Sequence, residues 1–442
     1  MPGALPERPI EIPGASADPV AAMIAAWLAG DAARVRAGLA AHPELKAMLH
    51  TPLPGSSFGS LPIHEAASRG DRAMIDVLLE AGANINARTQ WWAGGFGVLD
   101  GKTPLAPFLI ERGALVDVHA AARLGMIERL MELVEANPDL VHARGGDGQT
   151  PLHVAATVEI ARYLADHGAD VDARDIDHES TPAQYMVRDR QDIVRFLVAR
   201  GCRTDILMAA AIGDIDLVKR HLDADPASIR MSIADESFPK MDPRAGGTIY
   251  TWTLGWAKTP HTVAREFGHE DIVDLLMSRS PADLQLTQAC EIGDESRVEQ
   301  LLAGSPGLVG TLSDRDRRRI ADAARNDDAP VVRRMLAAGW PVDVRGHERG
   351  TPLHWAAWHG NAGLVRELLR YHPPLDARDN AWDSPPIGWA IHASVHGWHP
   401  DAGDYAGTVQ ALLDAGASPP ESMSDREASD AVRAVLQRSA GG

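Results

Sequence analysis

The 442-residue sequence predicts an all-α solenoid built from repeated helix–turn–helix units. Three segments of similar pattern support this fold class, namely residues 61–87, 150–173 and 351–377. In the clearest of them, TPLHWAAWHGNAGLVRELLRYHPPLDA, a Thr-Pro pair opens a short helical stretch and a glycine separates it from a second stretch. Because each unit exposes an apolar face that only a neighbour can cover, one extended array explains the length better than three separate domains.

The first helix of each unit is expected to begin at a Thr-Pro step and to end at a glycine. Pro352 suits the first position of a helix, because the N–H that it lacks would have no intrahelical partner there. The small side chains of Ala356 and Ala357 allow two helices to pack closely. Gly360, like Gly70 in an earlier copy, can end the helix in a left-handed conformation at little cost.

The second helix of each unit carries apolar residues at helical spacing. In two of the segments these residues are Ile75, Val77, Leu78 and Leu79, and then Leu364, Val365, Leu368 and Leu369. Glycines again mark the expected ends of second helices, at Gly82, Gly168, Gly201, Gly339 and Gly416.

These units closely resemble the ankyrin repeat. The residues that carry the resemblance are Thr351, Pro352, Leu353, His354, Ala356, Ala357 and Gly360, and again Thr150, Pro151, Leu152, His153, Ala155 and Ala156. The chain is identified as a free-standing array of the bacterial type with hairpin insertions. The resemblance implies ten to eleven units with β-hairpin loops over residues 57–420, an N-terminal segment with capping helices in 1–56, and a C-terminal capping helix in 421–442. It also implies that the histidine of the TPLH turn braces adjacent loops.

Three insertions interrupt the repeat period, at residues 90–102, 230–258 and 394–407. The first two are expected at hairpin positions, which in this family project from the concave, ligand-facing side. The third lies between the two helices of the last repeat. Residues 103–118 hold only one helix's worth of sequence, so one repeat is expected to be truncated there.

The tryptophans point to a binding surface. The chain has 11 Trp, as many as its 6 Phe and 5 Tyr together, and nine of them map to hairpins, first helices or the third insertion. Large apolar rings with an N–H group are typical of peptide and small-molecule sites. The predicted ligand-binding residues are Trp91, Trp92, Trp252, Trp256, Trp355, Trp358, Trp382, Trp389 and Phe267. The alternative is that some fill the core, above all Trp355 and Trp389, which replace the usual leucine.

Two functions are compatible with this pattern. The resemblance implies a binding protein that recognises a partner or ligand on its Trp- and His-rich concave surface. The alternative is an enzyme that performs hydrolysis, elimination or cyclisation on an apolar or aromatic small molecule. In that case His359 and His392 would be the acid or base, with Glu266 and Asp383 as carboxylate partners. The sequence leaves open whether any reaction is catalysed.

Composition and the motif search exclude several other classes of function. The formal net charge of −18 argues against binding to nucleic acids or to an anionic membrane. With two cysteines and no convincing targeting signal, a cytoplasmic protein is expected. We find no cofactor motif, no HExxH and no paired cysteines, so we expect neither a cofactor nor a metal. His392, His396 and His399 would share a helix face only if the helix continued past Gly397.

Overall fold

A computed structural model describes residues 18–53, 55–101, 103–418 and 428–440. Within these ranges the chain forms 24 α-helices and ten short 3₁₀ helices, and none of the described residues lies in a strand. The all-α prediction is therefore confirmed. The loops expected to be β-hairpins consist of turns and 3₁₀ helices in the same ranges.

The α-helices are numbered along the chain. The first twelve are α1 (Pro19–Leu28), α2 (Ala32–Ala41), α3 (Pro62–Arg69), α4 (Arg72–Glu80), α5 (Ala106–Glu111), α6 (Val118–Leu124), α7 (Ile127–Ala136), α8 (Val158–Asp166), α9 (Pro182–Met186), α10 (Gln191–Ala199), α11 (Ile206–Ile212) and α12 (Ile215–Ala224). The others are α13 (Tyr250–Thr253), α14 (Pro260–Glu266), α15 (Glu270–Arg279), α16 (Ala282–Ile292), α17 (Glu295–Gly304), α18 (Asp314–Arg325), α19 (Ala329–Ala337), α20 (Pro352–Trp358), α21 (Ala362–Leu369), α22 (Pro386–His396), α23 (Tyr405–Asp414) and α24 (Asp430–Ala440). The 3₁₀ helices are Pro43–His50, Ser57–Gly59, Val98–Asp100, Thr103–Leu105, Pro138–His142, Gly146–Gly148, Pro151–Val154, Pro226–Arg230, Leu308–Thr311 and His347–Arg349.

The chain divides into two compact units, a division that the repeat pattern did not indicate. One unit covers Met1–Met208 with Ile233–Gly255, and the other covers Ala209–Ser232 with Trp256–Gly442. Most of the second insertion therefore belongs to the first unit. Tyr250 of α13 is one of the residues that hold it there, because it is fully buried and donates a hydrogen bond from its hydroxyl to Asp205 Oδ2 at 2.9 Å.

The TPLH turn forms the start of a first helix through reciprocal hydrogen bonds. The backbone N–H of Thr351 donates to His354 Nδ1 at 3.1 Å, and His354 Nε2 donates to the carbonyl of Ser384 in the following loop at 3.2 Å. His64 and His153 make the same link to the loop that follows their own repeat. These histidines therefore brace adjacent loops, as the resemblance implied.

Helices are present in the segments predicted as terminal caps and as a truncated repeat, while the domain boundaries themselves stay a prediction. Helices α1 and α2 lie within the expected N-terminal capping region, of which residues 1–17 are outside the described residues. Helix α24 lies within the expected C-terminal cap, and residues 419–427 before it are likewise outside. Between residues 103 and 118, α5 is the one α-helix before α6 begins. That single helix matches the shortened stretch of sequence.

Candidate binding surface

Three of the predicted ligand-binding tryptophans are part of the core of the second unit. Trp355 and Trp358 on α20 and Trp389 on α22 are 4%, 5% and 2% exposed. The ring of Trp389 lies edge-on to both others, with centroids 4.9 Å from Trp355 and 5.7 Å from Trp358. Its indole N–H donates to Asp379 Oδ2 at 2.8 Å. Since α20 and α22 pack directly side by side, these rings are covered by the neighbouring repeat, as the core-filling alternative expected for Trp355 and Trp389, and their role in ligand binding stays a prediction.

Two tryptophans cover the outside of this aromatic core and remain substantially exposed. Trp382 is 49% exposed and stacks on Trp358 with ring centroids 5.8 Å apart and an interplanar angle of 7°. Trp398, from the third insertion, is 44% exposed and stacks on Trp355 at 5.9 Å. Beside them His392 lies 6.1 Å from both Trp358 and Trp382. We call Trp382, Trp398 and His392 the aromatic surface of the second unit.

The histidines that follow His392 do not continue on one helix face. Helix α22 ends at His396, and Gly397 adopts an extended conformation. His399 therefore leaves the helix, and its ring lies 6.3 Å from that of His359. His359 Nε2 donates to the carbonyl of Arg325 at 2.8 Å, and burial lowers the pKa of His359. The i, i+4, i+7 spacing thus produces no shared ligand face.

A pocket of about 350 Å³ lies beside Trp256, also within the second unit. Along its wall Lys258 Nζ pairs with Glu266 at 3.0 Å. Arg319 is almost completely buried, pairs with Glu291 and donates to the carbonyl of Ala257. Burial raises the pKa of the Glu291 carboxyl, although the Arg319 guanidinium opposes the shift. No sequence motif predicts the Arg319–Glu291 pair, because the two residues lie 28 positions apart, on α18 and α16.

The four candidate catalytic residues have different surroundings. Asp383 is exposed and lies 3.5 Å from Arg378, while Glu266 is the partner of Lys258 described above. His359 donates to a backbone carbonyl, and His392 contacts tryptophan rings. An acid–base pair among them therefore stays a prediction. Phe267, a predicted ligand-binding residue, is half-buried at the end of α14.

The tryptophans of the first two insertions have separate environments in the first unit. Trp91 donates from Nε1 to Asp147 Oδ1 at 3.0 Å and meets Phe58 edge-on at 4.9 Å. The ring of Trp92 lies under the Arg244 guanidinium at 4.2 Å, so the first two insertions contact each other. Trp252 on α13 is 67% exposed.

Comparison with known protein families agrees with the repeat pattern and with the braced helix pairs. The description "Ankyrin repeats (3 copies)" matches residues 118–208, and the single "Ankyrin repeat" matches residues 58–90 and 350–380. The chain contains ankyrin repeats. The first of these matches covers α6 to α10 and includes the TPLH turn at residues 150–153.

Several curated ankyrin-repeat proteins are similar to this chain. Human "Ankyrin repeat and SOCS box protein 16" is 28% identical over 282 residues, which is 61% of this chain and 52% of that protein. Mouse "Ankyrin repeat and SAM domain-containing protein 6" is 29% identical over 139 residues, covering 30% and 16% of the two chains. The ankyrin-repeat chain thus spans about half, or less, of the length of these relatives. The crystal structure of the human ASB11 ankyrin repeat domain aligns with a TM-score of 0.27 and 18% identity, over 69% of this chain and 99% of that one.

Ankyrin repeats imply a scaffold for protein–protein interaction. In the described part of this ankyrin-repeat chain, every helix is too short or too polar to cross a lipid bilayer.

Proposed function

We propose that this ankyrin-repeat protein binds a protein partner through the aromatic surface of its second unit. The observation that carries the proposal is the stacking of two exposed rings, Trp382 and Trp398, on the buried rings of Trp358 and Trp355. Exposed tryptophans are frequent anchors of interfaces. Rings that are already held in place lose little conformational entropy when a partner covers them.

The proposed partner presents apolar and neutral or basic side chains. The net charge of −18 disfavours an acidic partner, because like charges repel on approach. An indole face also attracts cations, as the Arg325 guanidinium 4.1 Å from the Trp256 ring illustrates within this unit. We propose that this binding takes place in the cytoplasm. The free thiols of Cys202 and Cys290 support the proposal, because unpaired cysteines are typical of reducing compartments.

The double variant Trp382→Ala/Trp398→Ala is expected to weaken partner binding by at least tenfold, because alanine removes both anchors, worth about 2 kcal/mol or more each at a hot spot. The partner is first isolated by affinity capture from lysate of the source organism with the wild-type chain. Its binding to each purified variant is then measured by isothermal titration calorimetry. The matched control is Trp252→Ala, which removes an even more exposed tryptophan from the first unit.

Equal binding by the double variant and the wild type would contradict the proposal. A similar loss in Trp252→Ala would also contradict it, since the effect would then follow from any exposed tryptophan. Circular dichroism of the double variant should match that of the wild type, because both rings lie on the outside of the core.

A second candidate function is acid–base chemistry on a small apolar or aromatic molecule, and the pocket beside Trp256 favours it. The pocket combines an indole, the Lys258–Glu266 pair and the carboxyl groups of Glu291 and Asp322, whose pKa values burial raises. Such perturbed groups in a cleft mark candidate sites. A metabolite that raises the melting temperature of the wild type, but not of Trp256→Ala, would support this function.

A further inference from the structure

Asp147, Asp177 and His178 come together in the first unit, away from the aromatic surface. One ligand atom from each side chain lies within 4.8 Å of the other two. His178 Nε2 is 3.5 Å from Asp177 Oδ2. Ligand atoms around a tetrahedral zinc ion, bound at about 2.0–2.1 Å, are separated by about 3.4 Å. This pair already has the spacing of two zinc ligands, and the third ligand, the Asp147 carboxylate, needs to approach by at most about 1.4 Å.

The orientation of His178 distinguishes the cluster from an ordinary group of acidic residues. Its Nδ1 donates to the carbonyl of Gly247 at 2.9 Å, so the lone pair is on Nε2, the nitrogen nearest Asp177. Histidines that bind metals usually make this kind of second contact, because it fixes both the tautomer and the ring orientation. Gly246 packs closely against both side chains, since a Cβ at that position would lie 3.2 Å from Asp177 Oδ2 and from His178 Cε1.

Each carboxylate is oriented by one neighbour that is not itself a candidate ligand. The indole N–H of Trp91 donates to Asp147 Oδ1 at 3.0 Å, and the backbone N–H of Gly246 approaches Asp177 Oδ1 at 3.3 Å. In both cases Oδ2 is the atom left to face a metal. The contacts come from the first and second insertions, so the insertions hold the side chains that the repeat loops supply.

The charge balance of the cluster favours a cation. The side chains of Asp177 and His178 are only 9% and 12% exposed, and Asp175 lies next to them, where it accepts hydrogen bonds from the backbone of His178 and from Tyr185. Partly buried carboxylates in such proximity repel each other and lose hydration. A divalent ion would supply the opposing charge.

We propose that Asp147, Asp177 and His178 bind one divalent transition-metal ion, with zinc as the best match. One imidazole nitrogen and two carboxylate oxygens form a mixed set that suits zinc better than calcium or magnesium, which prefer oxygen alone. The site requires the repeat loops and both insertions to be in place. Its proposed role is to fasten the insertions, through Trp91, Gly246 and Gly247, to the first unit.

The test is titration of the chelator-treated full chain with zinc chloride by isothermal titration calorimetry. We expect one equivalent to bind to the wild type and to raise its melting temperature. Affinity should fall at least tenfold in His178→Gln and in Asp147→Asn. The side-chain oxygen of the asparagine in the second variant can still accept the hydrogen bond from the Trp91 indole N–H, so this variant should fold. Matched controls are His167→Gln and Asp170→Asn, which change an exposed histidine and an exposed aspartate of the same unit.

Two results would overturn the proposal. The first is wild-type protein that binds less than one equivalent of zinc. The second is one equivalent that His178→Gln and Asp147→Asn bind as tightly as the wild type. Should either variant fail to fold, the visible spectrum of the cobalt-substituted wild type decides: intense tetrahedral d–d bands support the site, and weak octahedral bands, typical of ions bound loosely at the surface, refute it.

Discussion

Replacement of Trp389 by alanine is expected to lower the free energy of unfolding of the second unit by about 3–5 kcal/mol, the usual cost of deleting a fully buried aromatic side chain. Trp389 lies between Trp355 and Trp358 and is 2% exposed. Its removal leaves a cavity and also deprives Asp379 Oδ2 of the indole N–H donor. The cavity and the lost hydrogen bond both lower the free energy of unfolding.

Urea unfolding followed by tryptophan fluorescence and circular dichroism measures this change. The matched control is Trp382→Ala, whose ring touches the same cluster but is half exposed, so its midpoint should move much less. Trp389→Phe should fall between the two, because it fills most of the volume but cannot donate to Asp379. If Trp389→Ala unfolded at the wild-type urea concentration, the assignment of this ring to the core would be refuted.

The fold was predictable because the repeat encodes its own local geometry. Thr351 and His354 are three residues apart and cap the same helix, and Gly360 ends it in a left-handed conformation with φ 64°. Such interactions span a few residues and can be read from a short pattern. The division into two units could not be predicted in this way, because it depends on contacts between distant positions, such as that of Tyr250 with Asp205, 45 positions earlier in the chain.

The candidate sites were predictable only in part, because they also depend on contacts between residues far apart in the sequence. Position on a first helix predicts that Trp355 and Trp389 lie on the ligand-facing side, but whether the next repeat covers them depends on packing between helices. Trp398 lies in an insertion, and neither its exposed ring nor its stacking on Trp355 follows from that position. Asp147 and Asp177 lie in loops of two different repeats. No residue spacing within either loop predicts that their carboxylates come together.

Acidification is expected to destabilise both units through the histidines of the TPLH turns. Burial lowers the pKa of His153 and of His354 to about 4, from an ordinary value of 6.5. Each ring must stay neutral, because its Nδ1 accepts a backbone N–H while Nε2 donates to a carbonyl. The unfolded chain therefore binds these protons first as the pH falls. The contribution of the two neutral imidazoles to the free energy of unfolding is complete above pH 6.5. It is lost between pH 6.5 and 4, at about 3 kcal/mol for each imidazole.

The chain contains its own control for this prediction. In α9, Gln184 occupies the histidine position, and its Oε1 accepts the backbone N–H of Thr181 at 2.9 Å. Glutamine can therefore make this cap without a titratable group. In His354→Gln, the slope of unfolding free energy against pH should decrease by about 1.4 kcal/mol per pH unit between pH 6 and 4.5, the value for one proton. Urea titrations at pH 7, 5.5 and 4.5 measure the slope, and an unchanged slope in a folded His354→Gln variant would show that His354 is already charged in the native state.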